Sequence, residues 1–187
     1  SPELLGSGRC GVVFGNDSCI TSAVDAVDTL RREKETHFIG SGAVFQGMNS
    51  SVTMNLGTRF GTRGASWTLS GACASGAHAV GQGVMLIRSG LQDIVITGGV
   101  QETGWESAAA FDAINAFSLR EYAPQKASRP FDRGRDGLVP SGGGACLVLE
   151  ELGHALKRKA PIRAIVSGYG FSSDGKHLYI PSSEGSE

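Results

Sequence analysis

The chain reads as an α/β protein of stacked layers, and three observations predict it. Short continuous apolar runs at Cys10 to Gly15, Asp93 to Thr97 and Ala145 to Leu149 lack amphipathic alternation, the mark of strands covered on both faces. Between them lie stretches with apolar residues three and four apart, so strands and helices alternate along the chain. Glycine supplies 28 of 187 residues, roughly twice the usual share, without a collagen period, and such glycine serves tight turns and closely packed backbones.

Taken in order, Cys10 to Gly15 (CGVVFG) is a glycine-bounded strand, and Ser22 to Glu35 a helix carrying Val24, Val27 and Leu30 on one stripe. Val44, Met48, Val52 and Leu56 recur four apart, which predicts a single helix from Val44 to Arg59. Thr62-Arg63-Gly64 breaks it ahead of a short strand, Ser66 to Leu69. From Ala74 to Arg88 a helical stripe runs through Ala77, Val80, Val84 and Ile87, with Gly76, Gly81 and Gly83 among them. Each such glycine costs a helix about 1 kcal/mol relative to alanine, which close packing against neighbours explains. Asp93 to Thr97 is a strand ending in Gly98-Gly99, and Trp105 to Phe117 a helix through Ala109, Phe111 and Ile114. A polar loop from Arg120 to Pro140 leads to a strand at Ala145 to Leu149, a short helix at Glu151 to Lys159 and a longer strand at Ile162 to Phe171. Gly142-Gly143-Gly144 reads as a tight turn, and Asp132, Arg135 and Asp136 as charges that pair with one another to shape their loop.

Composition excludes several classes. Lys and Arg number 17 against 18 Asp and Glu, so the broad positive field of a nucleic-acid binder is missing, and no apolar run approaches the roughly 20 residues of a membrane span. Four cysteines in a chain long enough to bury a core do not form a disulfide scaffold, so a reducing, cytoplasmic setting is expected. No export signal is visible at Ser-Pro-Glu-Leu-Leu. Both ends read as cut from a longer protein, since Pro181 to Glu187 run out in Ser, Gly and Glu straight after a strand-like segment. No metal site is evident.

The chemistry-bearing motif is Ser70-Gly71-Ala72-Cys73-Ala74-Ser75-Gly76, directly after the strand Ser66 to Leu69. It places Cys73 on a sharp strand-to-helix turn among residues too small to shield it. The positive end of the following helix and nearby backbone N–H groups favour a thiolate there and can hold an oxyanion. Acyl transfer through a thioester is the reaction this suggests, with Cys73 attacking and its own N–H as one oxyanion donor. A small buried core cysteine is the competing reading.

The segment Gly64-x4-Leu69-x2-Ala72-Cys73-Ala74-Ser75-Gly76-x3-Val80 resembles the active-site signature of the 3-oxoacyl-acyl-carrier-protein synthases, the condensing enzymes of fatty-acid and polyketide synthesis. Gly90 to Gly99, the loop Ala127-Ser128-Arg129-Pro130-Phe131-Asp132-x2-Arg135-Asp136-Gly137, Gly142 to Ala145, Glu150-Glu151-Leu152-x-His154-Ala155 and Gly168-Tyr169-Gly170-x-Ser172-Ser173-Asp174 continue the likeness, strongest from Gly61 to Asp174. The resemblance implies a thiolase-like fold of α, β, α, β, α layers, of which this chain would supply mostly the first half. It implies a dimer built partly on the strand before the nucleophile, and no cofactor. The reaction it implies moves an acyl group from acyl carrier protein to Cys73, after which malonyl-carrier thioester loses carbon dioxide and the carbanion attacks the acyl-enzyme. Phe111 matches a position that lines the acyl pocket in the family, and Met48 lies on a stretch that there forms a helix bordering the pocket, with core packing as the competing reading for each. Arg31, Arg32 and Lys34 form a basic stretch able to meet an acidic carrier, or simply a solvated face.

Elongating members also use two histidines and a lysine from a second half with no counterpart here. His78, His154 and His177 match none of them and read as capped or solvated. Rival readings are a coenzyme A-dependent thiolase, a cysteine hydrolase with a similar elbow, and a non-catalytic dimer partner like the chain-length factors, which lack the cysteine.

Overall fold

The computed structural model describes residues 2–175 and is built on a four-stranded sheet. Its spatial order is β2 (Ser66–Leu69), β1 (Cys10–Gly15), β3 (Ile94–Gln101) and β4 (Gly143–Glu150). β1 pairs in parallel with both β2 and β3, while β4 runs antiparallel to β3. The helices are α1 (Pro2–Leu5), α2 (Thr21–Glu33), α3 (Ala43–Gln46), α4 (Ser51–Phe60), α5 (Ser75–Arg88), α6 (Trp105–Asp112) and α7 (Leu152–Lys157).

The continuous apolar strands have the reason expected of them. One face of β1 and β3 sets Cys10, Val12, Phe14, Ile94 and Ile96 against Leu4 and Leu5 of α1 and Val52 and Leu56 of α4. The opposite face sets Val13 and Val95 against Ala79, Leu86 and Ile87 of α5. Helices thus cover both sides of the parallel strands, as a parallel sheet requires. The described residues supply helix, sheet and helix, three of the expected layers. The glycines of α5 meet their neighbours closely: a Cβ at Gly83 would lie 3.0 Å from Leu149 and 3.2 Å from Val95.

Four expectations need correction. The helix expected from Val44 to Arg59 is broken between α3 and α4, leaving Met48 in a turn. Asn49 Nδ2 donates to the Asp17 carbonyl at 2.9 Å and Asn16 Nδ2 to the Asn49 carbonyl at 3.2 Å, so partners from the loop after β1 take over from helical hydrogen bonding. α6 ends at Asp112 instead of Phe117, because Asn115 adopts a left-handed φ of 54°, a conformation Asn tolerates, and Ala116 N–H closes back on the Phe111 carbonyl. Ile162 to Phe171 is not a strand. It lies along α5, with Arg88 Nη2 donating to the Ser167 carbonyl at 2.7 Å, and it pairs with none of the described strands. β4 is apolar but exposed through Val148, since it forms the sheet margin and α5 meets it at Leu149. Cys146 is therefore exposed.

Loop details differ as well. Asp132 accepts from the Gly134 N–H, Arg135 donates to the Asp132 carbonyl and Asp136 accepts from Ser118 Oγ, so these charges shape the loop through hydrogen bonds with other groups and not by pairing with one another. Gly143 and Gly144 belong to β4 itself. α2 is capped from a distance: the Glu102 carboxylate accepts from the N–H groups of Ile20 and Thr21 at 2.6 and 3.2 Å.

β4 ends in an ionic cluster. Arg158 donates twice to Glu150, both at 2.6 Å, and His154 Nδ1 lies 2.5 Å from Glu150 Oε1. Arg158 first, and His154 after it, hold the Glu150 carboxyl below the usual glutamate range despite its burial. A carboxyl with a lowered folded value contributes stability above the unfolded value and loses it as pH falls through the folded one. Acid titration of the denaturation midpoint should therefore show a loss on the acid side of the ordinary glutamate range, and Glu150→Gln should flatten that limb; an unchanged slope would contradict the assignment.

Candidate active site

β1, β2 and β3 run parallel, so their C-terminal ends share one edge of the sheet, the side on which open α/β sheets bind ligands. The turn from β2 into α5 lies there. It is held from two sides. Asp17, just beyond β1, accepts from Ser70 Oγ at 2.6 Å and from the Ala72 N–H at 3.1 Å through the same oxygen. Buried Ser75, the first residue of α5, accepts the Gly71 N–H at 2.8 Å and donates to the Ala72 carbonyl at 2.6 Å. Between them Ala72 is forced to a φ of 50°, a left-handed conformation costing roughly 1–2 kcal/mol for a residue with a Cβ. The next residue, Cys73, is exposed at the head of a 14-residue helix.

Bare backbone seats that helix. A Cβ at Gly15 would fall 2.2 Å from the Ser75 carbonyl carbon and 2.4 Å from the Gly76 nitrogen, and one at Gly99 would fall 3.1 Å from the Gly76 Cα. The end of α5 therefore rests directly on the ends of β1 and β3, and the position of Cys73 follows from the sheet. The N–H groups of Ala74 and Ser75 are engaged by the carbonyls of Gly71 and Ala72. Cys73 is in this respect what the motif predicts, an uncovered thiol at a helix start.

The remaining thiols sit differently. Burial pushes the Cys10 thiol up, and burial followed by the Glu102 carboxylate does the same to Cys19, whose Sγ donates to the Gln46 carbonyl at 2.8 Å. Desolvation by its neighbours raises Cys146 although the residue is exposed. Mild alkylation with peptide mapping should therefore label Cys73 first, and earlier labelling of Cys19 or Cys146 would contradict the reading.

Met48 lines a cleft of about 620 Å³ with Asp17, Ser18, Cys19, Asn49 and Thr68. The cleft shares Asp17 with the turn that carries Cys73. Phe111 lies elsewhere, on α6 with its ring 6.3 Å from that of Phe117, so the two expected pocket residues do not line this cleft together. Arg31 and Arg32 lie in the last turn of α2 and pair with Asp28 and Glu33, at 3.1 and 2.7 Å, while Lys34 is its left-handed cap at a φ of 64°. All three are exposed. His154 belongs to the Glu150 cluster, and His78 hydrogen-bonds Tyr169 instead of being solvated. His177 lies outside the described residues. Among the described residues no histidine hydrogen-bonds Cys73, and no cluster of three His, Cys, Asp or Glu of metal-binding kind is present. Asp17 and Ser75 escaped the sequence reading as site residues, although the Asn-Asp-Ser run after a strand and the serine inside the motif both carry a turn-holding signal.

A strand-to-helix elbow that presents an exposed thiol at the C-terminal edge of a helix-flanked mixed sheet defines the class, an α/β protein with an accessible cysteine at a helix start. Residues 1–155 match the model of the beta-ketoacyl synthase N-terminal domain, and the chain belongs to that family. It is 43% identical over 187 residues to 3-oxoacyl-[acyl-carrier-protein] synthase 1 of Haemophilus influenzae, covering 99% of this chain and 46% of that protein. A crystal structure of a beta-ketoacyl synthase from Burkholderia phymatum superposes with a TM-score of 0.86 at 35% identity, over 95% of this chain and 44% of the other. A type II polyketide ketosynthase, bound to the hexaketide and solved in complex with its acyl-carrier protein, gives 0.71 at 27% identity, over 86% of this chain and 41% of that one. The expected ketosynthase-type fold is met, and the chain spans about half the length of the curated relatives it matches. Among the described residues no helix is long and apolar enough to cross a membrane.

Proposed function

We propose that this chain is the nucleophile-bearing portion of a 3-oxoacyl-acyl-carrier-protein synthase, with Cys73 as acyl acceptor. The observation that carries the proposal is the exposed Cys73 on its left-handed elbow, within residues that match the ketoacyl synthase domain. The Cys73 thiolate attacks the acyl thioester and the Cys73 N–H stabilises the oxyanion. The carrier thiolate then leaves. Malonyl-carrier thioester loses carbon dioxide, and its enolate carbon attacks the acyl-enzyme to form the new C–C bond and release Cys73. Donors for the enolate come from the portion of the relatives that this chain does not match. Met48 and Phe111 border the acyl chain, Arg31, Arg32 and Lys34 meet the acidic carrier, and no cofactor takes part. All four cysteines are free, which supports a reducing, cytoplasmic setting.

The test is intact mass after incubation with an acyl-carrier thioester. The chain should gain one acyl group, mapped to Cys73, slowly and without forming 3-oxoacyl product, and adding the missing half should restore condensation. Release of free acid would favour a hydrolase, and acylation elsewhere would overturn the assignment.

A second copy completes the sheet at β2. Val12 and Asn16 N–H groups donate to the carbonyls of Ala65 and Leu69, so Ser66 and Thr68 turn their peptide groups to the free edge. Such an edge invites a partner strand. Thr68→Pro removes the outward donor and should leave a monomer by light scattering. Thr68→Val keeps that N–H while losing the 2.9 Å hydroxyl contact with Thr53, and should remain dimeric. A dimeric proline variant would sink the idea.

A further inference from the structure

We infer that His78 and Tyr169 form a positioning pair for the nucleophile turn, a role that rests on Cys73 being the acyl acceptor. The geometry points to it from both sides of the imidazole. Toward the turn, a Cβ at Gly71 would lie 2.8 Å from His78 Cδ2 and 3.5 Å from Nε2, so the ring edge bears on the backbone two residues before Cys73. Away from it, His78 Nδ1 shares a hydrogen bond of 2.6 Å with the Tyr169 hydroxyl, the two rings meeting edge to face at 84°. The imidazole is thereby clamped between the elbow and a residue 91 positions later in sequence.

Tyr169 is itself seated. A Cβ at Gly81, one turn along α5 from His78, would fall 2.3 Å from the tyrosine ring, so that ring occupies the space a side chain would take. Arg88 anchors the same segment through the Ser167 carbonyl, and the Phe171 ring lies 5.6 Å from that of Tyr169. The segment after α7 therefore lies along α5 and reaches the elbow through one imidazole.

Gly71 matters because its N–H enters the Ser75 hydroxyl relay that also holds the Ala72 carbonyl. The imidazole edge fills the space beside Gly71 and so limits how far the left-handed turn relaxes, and the direction of the Cys73 thiol and N–H follows from that turn. His78 is hydrogen-bonded to Tyr169 and not to Cys73, and acts through Gly71. It is a positioning residue, and Tyr169 fixes its ring.

The test is the second-order rate of iodoacetamide labelling at each cysteine of the full chain, with the melting temperature measured alongside. Tyr169→Phe keeps the ring on Gly81 and removes only the hydroxyl. It should slow Cys73 labelling by about threefold to tenfold, the size expected for one neutral hydrogen bond, with Cys19 labelling unchanged. His78→Ala should slow it at least as much, and His78→Asn, which keeps a polar atom near the Nδ1 position, should recover part of the rate. Wild-type labelling led by Cys73, with unchanged Cys73 rates in Tyr169→Phe and His78→Ala, would overturn the pairing and leave the nucleophile assignment intact. Faster labelling of buried Cys10 in Tyr169→Phe would show general loosening and overturn it too. Wild-type labelling not led by Cys73 would remove the nucleophile assignment and the pairing with it.

Discussion

Cys73→Ser is expected to depress condensation by roughly a thousandfold or more in a protein that joins this chain to the portion of its relatives it does not match. In the proposed reaction the acyl group is held covalently while malonyl-carrier thioester loses carbon dioxide, so uptake on residue 73 would precede bond formation. A serine hydroxyl at this elbow is almost wholly protonated at neutral pH, and among the described residues no histidine is hydrogen-bonded to Cys73 that could serve it as base. The substitution replaces only sulfur by oxygen on an exposed side chain, so the denaturation midpoint should stay within about 0.5 kcal/mol of wild type. Product formation above a tenth of the wild-type rate would place the nucleophile elsewhere.

Gly15→Ala should be strongly damaging, because it sets a methyl against the backbone at the head of α5. Its Cβ would meet the Ser75 carbonyl carbon at 2.2 Å, the Ser75 oxygen at 2.3 Å and the Gly76 nitrogen at 2.4 Å. These are backbone atoms at the head of α5 and cannot rotate aside, so the helix must lift from the sheet. Overpacking of this kind costs about 3 kcal/mol or more. Lifting α5 also disturbs Ser75, which holds Gly71 and Ala72, so Cys73 labelling and acyl uptake should change together with stability. Gly40→Ala is the control: a Cβ there meets nothing within 4 Å, and a change within about 0.5 kcal/mol is expected. Equal midpoints for the two variants, read from denaturant unfolding, would refute the backbone contact.

The parts of this protein legible in its sequence are those set by neighbours along the chain. Cys10–Gly15 and Ser66–Leu69 form strands at their expected bounds, because a short apolar run closed by glycine or a breaker leaves few alternatives. The Cys73 elbow was legible for the same reason, since small residues around a thiol between a strand and a helix are contiguous in sequence. The charge balance was equally plain. What escaped depends on partners far away. One helix from Val44 to Arg59 satisfies the four-residue spacing, but Asn16 donates to the Asn49 carbonyl and Asn49 to the Asp17 carbonyl across more than thirty residues, and these bonds split it. Ile162 to Phe171 has the composition of a strand, yet a strand exists only where an edge receives it, and this segment instead places Tyr169 against His78 and Gly81. Asp17 reaches the Ala72 N–H from 55 positions away, a contact no local pattern announces. Hydrophobic period and backbone propensity act within a few residues and so can be read in order, whereas hydrogen-bond partners and close backbone contacts are chosen only after the chain has folded back on itself.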